Sequence, residues 1–144
     1  MTLPRGIRTC NPFNLRWHAS IKWQGLAGRD EHGMCVFQGD PNSEPPDAFW
    51  GLRAGFKDLR TGFIRDGEDT IDEIIAEFAP PSENDTESYI RSVVAATDWD
   101  RHKQIALTVD NLVLLGRAII RHENGVQPYT VEQIKSAAFA ALNS

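Results

Sequence analysis

The feature that most constrains this chain is an apolar run from Val109 to Ile120, which ends in the polar residues Arg-His-Glu-Asn-Gly at 121–125. A helix that is apolar around most of its circumference belongs in a protein core. Asn124 and Gly125 predict its end, because glycine suits the left-handed position after a helix. Burial and the negative end of a helix both disfavour a charged carboxylate, so Glu123 suits a general acid. The alternative is a glutamate that points into water.

Chain length and charge limit the function classes. With 144 residues the chain can form one domain whose core needs no disulfide or metal, and we predict a single domain over residues 1–144. A net charge of −5 argues against nucleic acid as a partner, because phosphate binding needs a dense basic surface. The first 29 residues nevertheless contain five basic residues and no Asp or Glu. A basic face of this kind suits an anionic polymer such as a cell-wall glycan.

The sequence also bears on compartment and cofactors. No stretch reaches membrane-spanning length and the N-terminus lacks the apolar core of a signal peptide, so we expect synthesis in the bacterial cytoplasm without membrane insertion. Action in the periplasm or cell wall would then need a virion, a holin or a secretion machine. Cys10 and Cys35 are expected to be ordinary thiols, although a disulfide between them stays open. The four histidines show no metal-ligand spacing, and we predict no metal and no cofactor.

Hydrophobic periodicity predicts a mainly α, α+β fold with about five helices and a small N-terminal β-hairpin. The expected elements are strands at 21–26 and 34–37 around a loop at 27–33, an apolar helical stripe at 49–63, helices starting at capping patterns 70–73, 84–87 and 130–133, and the apolar run.

Carboxylates, amides and aromatic residues dominate the remaining chemistry. The chain has no phosphate-binding glycine loop, no G-x-S-x-G and no H-E-x-x-H. Cleavage of a glycoside needs an acid that protonates the leaving oxygen, often with a second carboxylate. Glu123 is the candidate acid, and Asp30 and Glu31 on the hairpin loop are candidates for the second group. The alternative for Asp30 and Glu31 is an ordinary solvated loop. Trp23 is the better candidate to stack on a sugar, whereas Trp50 is expected in the core.

Four ordered blocks carry a resemblance that covers nearly the whole chain. They are Arg5-Gly-Ile-Arg-Thr-Cys-Asn-Pro-Phe-Asn-Leu-Arg16, Trp23-Gln-Gly-Leu26, Ala79-Pro-Pro-Ser-Glu-Asn-Asp-Thr86 and Ala118-Ile-Ile-Arg-His-Glu-Asn-Gly125. Together they resemble a bacteriophage and prophage family described as virion structural or peptidoglycan-degrading proteins. The chain departs from that family at Thr9-Cys10 and at Phe13, where the family usually has two asparagines and a glycine.

A more distant resemblance concerns mechanism. The block at 118–125 is similar to the helix end that delivers the catalytic glutamate in autolysin-type glucosaminidases and goose-type lysozymes. In the glucosaminidases, an asparagine-containing block, a tryptophan, an acidic hairpin and a phenylalanine strand follow that helix. Here the same order occurs at Asn11–Arg16, Trp23, Asp30-Glu31 and Phe37, but before the helix in the chain. We therefore expect a circularly permuted lysozyme-like domain, since termini that lie close together tolerate such rearrangement.

The resemblance implies a peptidoglycan glycan-strand hydrolase, muramidase-like or glucosaminidase-like, with Glu123 as general acid and Glu31 or Asp30 as the second carboxylate. Lytic transglycosylation stays open. The residues expected to line the groove are Asn14, Arg16, Trp23, Gln24, Glu83, Asn84 and Tyr89. The alternative function is a non-catalytic virion or injection-apparatus structural protein that binds cell wall, with other virion or secretion-apparatus proteins as partners.

Overall fold

Helices form most of the chain in the computed structural model, which describes residues 2–82 and 84–144. The elements are α1 (Arg5–Arg8), β1 (Leu26–Arg29), β2 (Cys35–Phe37), α2 (Phe49–Arg65), α3 (Ile71–Phe78), α4 (Thr86–Thr97), α5 (Val109–Asn124) and α6 (Val131–Leu142). The prediction of a mainly α, α+β fold is confirmed. The single turn of α1 was not predicted, because four residues are too few to show a helical period. None of the described helices combines the length and apolarity needed to cross a membrane.

The apolar run forms α5, the predicted core helix. Its first turn is capped by Thr108, whose hydroxyl accepts a hydrogen bond from the Asn111 backbone N–H. It ends at Gly125 in the left-handed conformation, with φ of 75°. Leu115 and Ile119 are fully buried, and the helix packs against α4, α6 and α1. Glu123, in the last turn of this helix, is therefore held by a helix that is packed into the core.

The rings of Phe13, Phe56 and Phe78 form a buried cluster, the aromatic plug, that joins the N-terminal loop to the helices. The Phe13 ring is completely buried and makes edge contacts with the rings of Phe56 and Phe78, at centroid distances of 5.2 and 6.3 Å. The ring packs directly on Gly55 of α2, where any Cβ would overlap it. A Cβ on Gly116 of α5 would lie 2.6 Å from the Phe56 ring. The two glycines thus make the space that the two rings fill.

Local capping patterns fix where the other helices begin. The Thr70 hydroxyl accepts from the Glu73 backbone N–H at the start of α3, as predicted. At α6, Thr130 and Gln133 form the complete reciprocal capping box. α4 begins after Asp85, whose carboxylate accepts from a backbone N–H in the first turn. The predicted starts at Thr70 and Thr130 are confirmed, and α4 begins one residue later than the pattern at 84–87 predicts.

The hairpin lies further along the chain than predicted. The first strand is Leu26–Arg29, so the prediction of a strand at 21–26 is wrong. Gly25, at φ of 82°, turns the chain just before the strand. The Asp30 carboxylate accepts from the backbone N–H groups of His32 and Met34 and closes the turn directly after it. These two turns, rather than the apolar residues alone, set the strand limits.

Candidate active site

A cleft of about 630 Å³ opens between the N-terminal loop and the helices α2 and α3. Residues 13–23 of the loop line one side and include Trp17 and Trp23. The C-terminal half of α2, the following turn and α3 line the other side. Glu123, at the end of α5, also lines this cleft. The predicted acid is therefore brought to the same cavity as two half-buried tryptophan side chains.

Glu123 is half-buried and is held by a side chain from the opposite end of the chain. The Asn14 Nδ2 donates a hydrogen bond to Glu123 Oε1 at 2.9 Å, across a separation of 109 residues. Asn14 has a left-handed backbone with φ of 53°, a conformation that asparagine tolerates better than most residues. The contact joins the N-terminal loop to the end of α5.

Two buried asparagines hold the loop that presents Asn14. The Asn11 side chain is completely buried; it donates to the carbonyls of Leu15 and Cys35 and accepts from the Leu15 N–H, each at 3.0 Å. The Asn124 Nδ2 donates to the Pro12 carbonyl at 2.9 Å and so ties the loop to α5. Buried amides that are bonded in this way fix a loop firmly, because breaking them leaves polar groups unsatisfied.

Tyr89 lies behind Glu123 rather than on the cleft wall. It is 2% exposed, and its ring stacks on the His122 ring at a centroid distance of 3.8 Å. Among the described residues its hydroxyl completes no direct hydrogen bond. Burial, and next to it the Glu123 carboxylate, raise the pKa of Tyr89 far above its usual range. Because the phenol is buried and stays protonated beside Glu123, it is not placed to bind a sugar face.

Aromatic and cationic groups share the N-terminal side of the cleft. Trp17 and Trp23 are half-buried, and the Arg29 guanidinium lies 4.9 Å from the centre of the Trp17 ring. Arg16 also lines the cleft. Trp50 instead packs over Gly25 and against the core. Exposed edges of this kind suit the stacking and polar contacts that sugars make.

The two predicted second carboxylates lie on the hairpin turn, outside the described cleft wall. The Asp30 carboxylate is used by the hairpin turn, and the Met34 backbone N–H is the main cause that lowers the pKa of Asp30. The Glu31 side chain is 85% exposed at the hairpin tip and lies 3.4 Å from His32. Neither Asp30 nor Glu31 is among the described residues that line the cleft.

The other predicted groove residues divide between the cleft and the surface. Asn84 lines the cleft, as Arg16 does, and its Nδ2 donates to the Pro80 carbonyl at 3.2 Å. Gln24 is exposed and lies outside the described cleft wall. Glu83 falls outside the described residues.

The wall formed by α2 and α3 carries carboxylates that sequence reasoning missed. Asp58 opens onto the cleft from α2; desolvation and the nearby Glu77 raise the pKa of Asp58, while Arg65 opposes them. Asp66 is bound by Arg65 at 3.0 Å. Carboxylate oxygens of Asp66, Glu68 and Glu77 lie within 4.8 Å of one another. Such oxygens suit hard cations, but exposed acidic groups also cluster without one, and no metal is assigned.

The relationship to known proteins is consistent with the phage resemblance. No protein-family model matches the chain. It is 36% identical over 134 residues to Protein P5 of Pseudoalteromonas phage PM2, an alignment that covers 91% of this chain and 78% of the phage protein. The chain belongs to the family of that phage protein. The bacteriophage affiliation is thereby confirmed, whereas the name Protein P5 states no activity, and hydrolysis and the lysozyme-like fold remain predictions.

Proposed function

We propose that the chain cleaves the glycan strands of peptidoglycan, with Glu123 as the general acid. The observation that carries the proposal is the Glu123 carboxylate, which the end of a buried helix delivers to a sugar-sized cleft and which Asn14 holds at 2.9 Å. The circularly permuted lysozyme-like arrangement is part of the same proposal, because the helix end and the asparagine loop meet across the cleft.

In this proposal the residues around the cleft have different roles in binding and catalysis. A glycan strand would stack its sugar faces on Trp17 and Trp23 and place a glycosidic oxygen at Glu123. Glu123 would protonate that oxygen as the bond to the anomeric carbon breaks. Asn14 would orient the carboxyl group through its hydrogen bond, with Tyr89 packed behind it, since a general acid must lie within hydrogen-bond reach of the oxygen it protonates. The exposed arginines of the N-terminal half would attract the anionic wall polymer.

The test is Glu123→Gln, which keeps the shape of the side chain and removes the acidic proton. Purified cell walls are incubated with each protein, and the release of new sugar ends is followed by reduction and chromatography. Because general acid catalysis is worth about 10²–10⁴-fold, we expect at least a 100-fold loss. Glu132→Gln is the matched control, because Glu132 is exposed in the first turn of α6 and should leave activity unchanged.

Each result separates the alternatives. Most of the activity retained in Glu123→Gln, with an unchanged unfolding temperature, would remove Glu123 from the mechanism. Anhydro-sugar ends would identify lytic transglycosylation by the same acid. Wild-type protein that binds walls and releases no ends would overturn the proposal in favour of a non-catalytic virion or injection-apparatus protein.

A further inference from the structure

We propose that Asp58 is the second carboxylate of the site and acts as a general base that activates the attacking water. The inference rests on the proposed function and replaces Asp30 and Glu31 in that role. Asp58 lies on α2, and no local sequence motif distinguishes it from other surface carboxylates.

The position of Asp58 follows from the aromatic plug. Asp58 lies one helical turn after Gly55, and residues three apart share a helix face. The Phe13 ring packs on Gly55, and the next residue of the loop, Asn14, holds Glu123. Asp58 and Glu123 therefore line the same cleft, one from α2 and the other from the end of α5.

The other candidate carboxylates differ from Asp58 in their contacts or their position. Glu68 and Glu77 also line the cleft, but their carboxylates cluster with that of Asp66, within 4.8 Å of one another. Asp66 is paired with Arg65 at 3.0 Å, and Asp30 is bonded to the hairpin backbone. Glu31 extends into solvent from the hairpin tip. Asp58 forms no comparable described ion pair; desolvation, and next to it the Glu77 carboxylate, raise the pKa of Asp58, which favours a general base.

The proposed role sets the separation that the two carboxyl groups must have. A general base needs room for the attacking water, and enzymes that invert configuration keep about 6.5–9.5 Å between their carboxyl groups. Asp58 and Glu123 come from different helices that line one cleft, and the inverting arrangement is part of the proposal.

The resulting step balances without a further reactant. Asp58 takes a proton from water, and the water oxygen bonds to the anomeric carbon. The bond from that carbon to the glycosidic oxygen breaks, its electron pair stays on the oxygen, and Glu123 supplies the proton. Asp58 ends protonated and Glu123 ionised, and exchange with solvent restores both. A β-linked strand would yield an α product.

The experiment compares Asp58→Asn with two controls, Asp66→Asn in the same cleft and Glu31→Gln on the hairpin. For Asp58→Asn we expect kcat to fall by about 10²–10³-fold with KM nearly unchanged, as for loss of a general base. Both controls should stay within a few-fold of wild type. Sodium azide should restore turnover in Asp58→Ala and form a glycosyl azide, a result that a purely structural role would not give.

Failure of this inference is distinguishable from failure of the proposed function. If Asp58→Asn stays active, or azide does not rescue Asp58→Ala, the base role is overturned while an inactive Glu123→Gln still supports Glu123. The anomer released by wild-type protein, read by proton NMR, is a test that needs no variant. A retained β anomer or an anhydro end would overturn the role of Asp58, and an α anomer would support it.

Discussion

Replacing Phe13 by alanine tests whether the aromatic plug holds the two ends of the chain together. The ring is completely buried and contacts Phe56, Phe78 and Gly55. Buried Phe→Ala changes cost about 3–5 kcal/mol, and each favourable aromatic pair adds about 0.5–1.5 kcal/mol beyond its buried area. Measured Phe→Ala losses already include such ring contacts, so the loss of both ring pairs places the expected fall in the free energy of unfolding in the upper part of that range, at about 4–5 kcal/mol. That decrease is a large share of the stability of an ordinary domain.

The measurement is urea unfolding followed by tryptophan fluorescence. Phe139→Ala is the matched control, because Phe139 is 60% exposed on α6 and its truncation should change stability by less than about 0.5 kcal/mol. A decrease below about 1 kcal/mol for Phe13→Ala, or one equal to the control, would refute the packing described for this loop.

Two further predictions concern buried polar groups. Burial raises the pKa of the Cys35 thiol to about 11 and also raises the pKa of Cys10. We therefore expect neither thiol to react with a disulfide reagent at pH 8 until urea unfolds the protein. A thiol that reacts fast in the folded state would contradict this prediction. Asn11→Ala removes three buried hydrogen bonds; the Leu15 carbonyl still accepts from the Cys35 N–H, whereas the Leu15 N–H loses its described partner. At about 1–3 kcal/mol for a buried group left unsatisfied and about 1 kcal/mol for each further bond lost, we expect about 3 kcal/mol of destabilisation by urea unfolding; a change under ~1 kcal/mol would show that water replaces the amide.

Local patterns determined most of the secondary structure. The caps at Thr70 and Thr130 and the Gly125 stop are set by residues within one turn, so their sequence signals survive in the fold. The first strand was misplaced because two turns, and not its apolar residues, set its limits. The hairpin acid Asp30 illustrates the same limit, since its carboxylate binds the backbone that follows it.

The sequence by itself determined that a core helix ends at Glu123 and that an asparagine- and tryptophan-rich block lies at the other end of the chain. Only the tertiary structure decided that Asn14 bonds to Glu123, that Tyr89 lies behind the site and that Asp58 opens onto the cleft. The physical reason is that such contacts depend on how helices far apart in sequence pack around shared rings. The local sequence of a helix does not show which of its polar residues will face a cavity once the helices have packed.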